Sequence, residues 1–406
     1  MPIALDDLKE SNEFLNLIFE NINSAILIAD EQMRIHQFNK SFLSLFDNAA
    51  DRIAENSFGL VSGCVNAVKE NKSCGGTSQC RFCVLRKTLL QTLVEGYPVD
   101  RKSLERIFYI KGSPVLKSLE VTSRLIRFHG RKMILVIIYD VTEIEAQKRM
   151  LEKQRQQIDQ ELVTAARIQK SLLPERDLEI DNLRIAWKFE PSGHIGGDIF
   201  QIHKISDAEI GIYMLDVCGH GVSAALVAVT ISQFLMSLHN RMRLTGKSFS
   251  PEEVMSRLDR EFPMERFDCF FSIVYATLNI ETGRFRYSNA GHMPPLILSS
   301  SGRLEMLEKH GTPVGIGFGA AFGQEEKQLF AGDRLILYTD GLIENFGIDG
   351  ERNGKDRFHA FLKEFCHLPT RGLADGAFED AGRRRGGAAP TDDMSLIAVE
   401  YTNNRQ

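Results

Sequence analysis

The sequence predicts an α+β protein of more than one domain. Its 406 residues exceed what a single hydrophobic core usually serves. The stretch from Thr142 to Leu173 has no Gly or Pro and is rich in Glu, Gln, Lys and Arg, so it reads as one continuous helix dividing the chain. On both sides of it, short strand patterns recur in pairs with helical blocks between them. The expected organisation is a first domain at residues 1–141, a linker helix at 142–173 and a second domain at 174–406.

Composition narrows the class. Apolar residues make up 43% and charged residues 25%, ordinary for a globular protein. The net charge of -5 gives no global basic surface for nucleic acid or an anionic membrane. The longest apolar runs, Met133 to Ile138 and Ala224 to Val229, are far shorter than a membrane span. No basic segment followed by an apolar core opens the sequence, so the expectation is a cytoplasmic protein with neither a membrane nor a nucleic-acid partner.

The first domain begins with an amphipathic helical pattern over residues 12–20, through Phe14, Leu15, Leu17, Ile18 and Phe19. Ala25 to Ala29 and Arg34 to Phe38 read as strands around an Asp30-Glu31 turn, and Asn39 to Phe46 as a helix. Two further strands, Lys117 to Phe128 and Lys132 to Asp140, close the domain around a Phe128-His129-Gly130-Arg131 turn. Early strands, central helices and late strands imply one sheet closed by its ends. This order resembles a PAS sensor domain, on residues Ile18 to Asp30, Phe38 to Phe42 and Ile137 to Thr142.

Within this domain lie Cys64, Cys74, Cys80 and Cys83, four of seven cysteines inside twenty residues. An odd total in a long chain argues against a disulfide scaffold. The Cys80-x2-Cys83 pair places two thiolates within reach of one soft metal, and Cys64 and Cys74 can complete a site for Zn2+ or an iron–sulfur cluster. A redox-switched Cys80–Cys83 pair is the other reading, and buried or free thiols the plain one.

In the linker, Ile144, Leu151, Ile158, Ala165 and Leu172 recur every seven residues beside a seam that is polar at first. One good stripe beside a poor one is a weak coiled coil, whose pairing can change at modest cost. A homodimer through this helix is the expectation.

From Leu183 onward, strand patterns cover Leu183 to Phe189, Phe200 to Ile205, Glu209 to Leu215, Phe270 to Asn279, Arg284 to Asn289, Pro295 to Leu298, Arg334 to Thr339 and Met394 to Glu400. Helical patterns cover Val222 to Met242 and Pro251 to Phe262, the second with Ser250 as N-cap. Weaker ones cover Phe358 to Phe365 and Leu373 to Arg384. Two packed sheets with helices outside are expected. Carboxylates gather at the strand ends: Asp216 opens Asp216-Val217-Cys218-Gly219-His220-Gly221, Asp198 follows Gly196-Gly197, Asp340 precedes Gly341, and Asp392-Asp393 precedes the last strand. One such residue is a turn; four of them are what hard divalent cations require.

These stretches, with Glu161 to Pro174 and Asn289 to Pro295, resemble in content and order the metal-dependent protein phosphatases of type 2C. Within that PPM family they resemble the bacterial branch typified by SpoIIE, RsbU and RsbP. The resemblance implies a C-terminal αββα sandwich that hydrolyses phosphoserine or phosphothreonine with two Mn2+ or Mg2+. Such ions clamp phosphoryl oxygens and lower the pKa of a water. By resemblance Asp216 bridges both ions, the Val217 carbonyl and Asp198 serve the first, directly or through water, and Asp340 and Asp392 the second, with Asp393 the competing choice to Asp392. His220 is the implied general acid, His292 a loop brace, and Cys218 a departure from the serine often found there. The implied substrate is a phosphorylated STAS-domain anti-sigma-factor antagonist. Arg383-Arg384-Arg385 reads as a solvated charge run, with partner docking as the alternative.

Two other classes remain open on the sequence. Sensor, helix and catalytic domain is also the layout of histidine kinases, and Asp216-x2-Gly219-x-Gly221 superficially resembles an ATP-site motif. The 142–173 helix has no histidine to carry a phosphate, and no Gly-x4-Gly-Lys-Ser/Thr loop occurs. A silent pseudo-phosphatase would lack some motif carboxylates, and none is missing.

Overall fold

The computed structural model describes residues 11–47, 56–128, 130–175, 178, 180–317, 321–347 and 351–402. The first ten residues and His129 of the expected hairpin turn lie outside them. The chain packs as two compact units, Met1–Gln156 and Gln157–Gln406. The dividing point falls inside a continuous helix, Thr142–Lys170.

The first unit is built on one antiparallel sheet of five strands, in the order Ile35–Phe38, Ala25–Ala29, Arg131–Asp140, Ser113–Phe128, Val99–Ile110. The first strand in sequence lies beside the last, with Ala25 opposite Ile138 and Ala29 opposite Ile134, so the sheet is closed by its ends. Asn39 fixes the entry to the Lys40–Phe46 helix. Its wholly buried side chain accepts from the Phe42 and Ile26 N–H groups at 3.1 and 2.9 Å, as an N-cap should. Phe42, Phe46, Phe58 and Phe108 then pack edge-on or tilted against one another, beside Leu119, Val121, Ile134 and Val136. The sequence reading lacks one strand, Val99–Ile110. Its Arg101, Lys102, Glu105 and Arg106 look like loop residues, and they suit an edge strand that must not pair further. The expected N-terminal helix forms at Ser11–Asn21, with Phe14, Leu15 and Leu17 exposed.

The second unit has two antiparallel five-stranded sheets. One runs Glu325–Gln328, Arg284–Ala290, Phe271–Asn279, Glu209–Val217, Ile199–Lys204. The other runs Leu304–Met306, Leu296–Leu298, Arg334–Tyr338, Met394–Tyr401, Leu183–Glu190. Alternate residues of both, such as Ile202, Ile212, Leu335, Leu337 and Ile397, meet in one buried core between them. Outside the first sheet lie the helices Val222–Thr245 and Pro251–Glu261. Ser250 caps the second with a full capping box, Ser250 to Glu253 and back. Outside the other sheet lie Asp340–Phe346, Glu351–Glu364 and Thr370–Arg384, over a second buried cluster around Phe346, Phe358 and Phe378. The layers are thus αββα. Val222–Thr245 is long and apolar enough to cross a membrane. Here its Ala224, Ala228, Ile231, Leu235 and Met242 are buried against the sheet core, which accounts for that apolarity.

Candidate active site

The Glu209–Val217 strand ends on Asp216 and Val217. The chain then turns through Gly219 and Gly221, at φ 99 and 77°, into the long helix; side chains other than Gly are strained there. Cys218 and His220 sit on that turn, exposed. The turn is anchored by the Cys218 N–H on the Phe270 carbonyl at 3.0 Å.

The Gly196-Gly197-Asp198 turn lies directly against it. A Cβ on Gly197 would stand 2.9 Å from the Val217 carbonyl oxygen and 3.5 Å from Asp216 Oδ1, so only Gly allows this approach. Asp198 is 1% exposed. Its Oδ2 lies 2.9 Å from Thr339 Oγ1 and accepts from Ser395 Oγ at 2.6 Å. Burial, with Asp216 and Asp393 nearby, holds its carboxyl well above the usual range.

Asp340 is not only a turn residue. It is the first residue of the Asp340–Phe346 helix, with Thr339 at the N-cap, and its Oδ1 accepts from the Gly341 N–H at 2.9 Å. Gly341 has no room for a side chain, since a Cβ would meet the Asp393 carbonyl.

The neighbouring pair Asp392-Asp393 separates cleanly. Asp393 is 5% exposed, and both of its oxygens are occupied: Oδ1 by the Ser192 N–H and hydroxyl at 2.8 and 3.0 Å, Oδ2 by the Gly197 N–H at 2.6 Å. It staples the Gly196-Gly197 turn to the other sheet. Asp392 accepts only the Asp393 N–H, at 2.8 Å, among its described hydrogen bonds, and it faces Asp340 and His220. Burial raises its pKa, the charges of Asp340 and Asp393 add to that, and His220 opposes it.

Asp216, Asp340 and Asp392 therefore act on one another. Burial pushes Asp216 up to about 8, and the charges that add to this are those of Asp340, Asp392 and Asp393. Among the described residues, no three His, Cys, Asp or Glu side chains come close enough to hold a single ion. Beside the carboxylates lies a cleft of about 360 Å3, lined by His220, His194, Ser192, Thr391 and Leu162.

Several residues have supporting contacts that the sequence does not reveal. Gln169, near the end of the linker helix, is 4% exposed and grips Gly196 twice: Nε2 donates to its carbonyl at 2.7 Å and Oε1 accepts its N–H at 3.2 Å. Gln201 Nε2 holds the Leu172 carbonyl at 2.9 Å. Thr339 and Ser395 hold Asp198. His292 is buried with its Nδ1 2.7 Å from the Ser272 hydroxyl, while Asn289 bonds its backbone on both sides. Burial lowers it to about 4, so it is neutral at pH 7 and braces the loop. In the basic run, Arg383 is 75% exposed and, like Arg384, pairs with Asp380, while Arg385 is largely buried against Glu190.

The four cysteines of the first unit are reduced and free. Cys64, Cys74 and Cys83 line one small cavity with Arg86 and Arg106, and Cys80 stands beside it. A closed tetrahedral cage for one zinc is thus not formed in this geometry, nor is a Cys80–Cys83 disulfide.

Comparison with known proteins agrees with this architecture. Residues 206–402 match the family Stage II sporulation protein E (SpoIIE), and residues 13–76 match a PAS domain family. The chain is 32% identical over 190 residues to phosphoserine phosphatase RsbP of Bacillus subtilis, covering 45% of each chain. It is 28% identical over 220 residues to phosphoserine phosphatase RsbU of the same organism, covering 53% of this chain and 63% of RsbU. The chain thus spans about half the length of the curated relatives it matches. In fold, it is similar to the SiaA-PP2C domain of Pseudomonas aeruginosa, with a TM-score of 0.52 at 20% identity, covering 61% of this chain and 98% of that one. The Asp216–Gly221 stretch is accordingly a strand-to-helix turn of a PP2C-like sandwich and not the ATP lid of a kinase. The chain carries a SpoIIE domain over residues 206–402, behind an N-terminal segment of the PAS family.

Proposed function

We propose that this chain is a metal-dependent protein serine/threonine phosphatase under the control of its PAS unit. The observation that carries the reading is the mutual repulsion of Asp216, Asp340 and Asp392 beside an open cleft. Carboxylates set against one another need cations, and an all-oxygen donor set suits Mg2+ or Mn2+ over softer metals. Asp216, the Val217 carbonyl, Asp340 and Asp392 are the residues that would hold two such ions. Such a pair, when bound, neutralises phosphoryl oxygens and provides a nucleophile at neutral pH.

The chain's own residues do the rest. Asp393 fixes the Gly196-Gly197 turn, and Thr339 and Ser395 orient the buried Asp198, which acts from behind the ligands. His220, exposed at the cleft and near Asp392, is placed to give a proton to the departing serine or threonine oxygen. The substrate we assign is a phosphoserine or phosphothreonine on a regulatory protein of the STAS anti-sigma-antagonist type; the names of the relatives RsbP and RsbU, phosphoserine phosphatases, support its phosphoserine part.

Control runs through the helix in this reading. Ile144, Leu151 and Ile158 are 64, 67 and 56% exposed, an apolar stripe suited to a second copy of the chain. The last turns of the same helix grip the Asp198 turn through Gln169 and line the cleft with Leu162. A change of pairing therefore has a mechanical path to the carboxylates. The test is phosphate release from a phosphoserine peptide with Mn2+, expected for the native chain and lost in Asp340→Asn. No release with any divalent metal would leave a binding module.

A further inference from the structure

The long helix behind the Asp216–Gly221 turn carries apolar residues that the core does not use. Val222 and Leu226 are 48 and 62% exposed, while Ala224, Ala228 and Ile231 on its other face are buried. Four residues apart on a helix, the two stand one above the other. Val222 lines the cleft beside the carboxylates, together with Leu162 and Ile195. We infer, resting on the hydrolytic reading of that cleft, that this apolar wall is a specificity subsite. It takes an apolar side chain of the phosphoprotein, about two or three residues from the phosphoserine or phosphothreonine.

Exposed apolar side chains scattered singly are ordinary. Val222 and Leu226 differ because they continue the wall of a cleft. That cleft, of about 360 Å3, is on the scale of a ligand site and has room for more than a phosphoryl group. Its polar lining is made of Ser192, His194, His220 and Thr391, and no Lys, Arg, Asp or Glu stands among the lining residues. His194 already faces Asp159 of the linker helix at 3.7 Å. A charged side chain of the substrate would lose water against Leu162, Ile195 and Val222 and meet no opposite charge in the lining. An apolar one gains by burying its own surface and theirs.

Backbone geometry sets the spacing. Val222 is the first residue of the helix after the turn that carries His220, and Leu226 lies about 6 Å further along the helix axis. An extended chain advances roughly 3.3 Å per residue. A substrate strand with its phosphoryl group at His220 therefore reaches Val222 and Leu226 within about two or three residues.

The experiment compares synthetic phosphoserine peptides that carry Leu, Asp or Lys two and three residues to either side of the phosphoserine and are otherwise identical. kcat and KM are measured on the full chain with Mn2+, and p-nitrophenyl phosphate, which has no flanking residues, is the reference. The Leu peptides should exceed the Asp and Lys peptides in kcat/KM by about tenfold or more, mainly through KM. In Val222→Thr/Leu226→Gln, which leaves the buried face of the helix intact, most of this preference should be lost when rates are taken relative to p-nitrophenyl phosphate. Hydrolysis of p-nitrophenyl phosphate with equal kcat/KM for the three flanks, or with a preference for a charged flank, overturns the subsite alone. So does a preference for Leu that survives in the double variant, and a changed sedimentation of that variant would then give the face to a second copy of the chain. Hydrolysis of neither peptide nor p-nitrophenyl phosphate overturns the hydrolytic reading, and the subsite falls with it.

Discussion

Asp216→Asn should make the metal-free protein more stable, and increasingly so as the pH rises. The folded unit holds this carboxyl at about 8, against an ordinary value of 3.8. An acid whose pKa is raised by folding costs nothing below its unfolded pKa. The cost grows as pH rises from there and levels off above the folded value, because the unfolded chain ionises first. At 1.36 kcal/mol per unit, the penalty is roughly 2 kcal/mol at pH 5 and roughly 5 kcal/mol at pH 8, as a ceiling. Asparagine keeps the shape and removes the charge. In EDTA, thermal unfolding should therefore show the variant ahead of wild type by roughly 3 kcal/mol more at pH 8 than at pH 5. At about 2–4 °C per kcal/mol, that is a widening of roughly 6–12 °C in Tm. Mn2+ should raise wild type at pH 8 and do much less for the variant, which should also lack phosphatase activity. A variant no more stable than wild type at pH 8 in EDTA, or a gap that does not depend on pH, would refute the idea that like-charge repulsion defines this site.

Gln169→Ala should leave the buried N–H and carbonyl of Gly196 without partners, at a cost of roughly 2–4 kcal/mol. The expected kinetic effect is a higher Mn2+ concentration for half-activation, with kcat largely restored at saturation; a lowered kcat at saturating Mn2+ would place Gln169 in another role. Asp392→Asn and Asp393→Asn should separate by assay. The first should abolish phosphate release and leave Tm unchanged or higher. The second strips partners from Ser192 and Gly197 and should lower Tm by several degrees. Polar substitutions at the exposed Leu151 and Ile158 should change sedimentation and activity together without altering metal affinity, and an unchanged oligomer with unchanged activity would remove the helix from the control path.

The local features were legible because their causes are local. Gly219 and Gly221 had to be glycine for a left-handed turn, Ser250 and Glu253 announced a helix start, and the seven-residue stripe of the linker stood in the periodicity. Asp216, Asp340 and Asp392 were readable as a set because strand ends and turn glycines mark where side chains are displayed. The missing strand Val99–Ile110 and the short strand Glu325–Gln328 are edge elements, whose charged residues mimic loops.

What the sequence could not settle was decided by contacts between distant segments. Asp392 and Asp393 are the same residue type, side by side, and differ only in what folding brings to them. One meets the Ser192 and Gly197 N–H groups, some 200 positions away, and becomes a staple; the other meets carboxylates and becomes a candidate ligand. Asp198, expected to serve the first ion directly or through water, has one oxygen held by Thr339 and Ser395 from the other sheet. Gln169 lies in the Glu161 to Pro174 stretch that carries the resemblance, but its role is set by Gly196 packed against it. A carboxylate or an amide carries its chemistry in the sequence, but its role depends on which donors and charges face it, and that is a property of the packed chain alone.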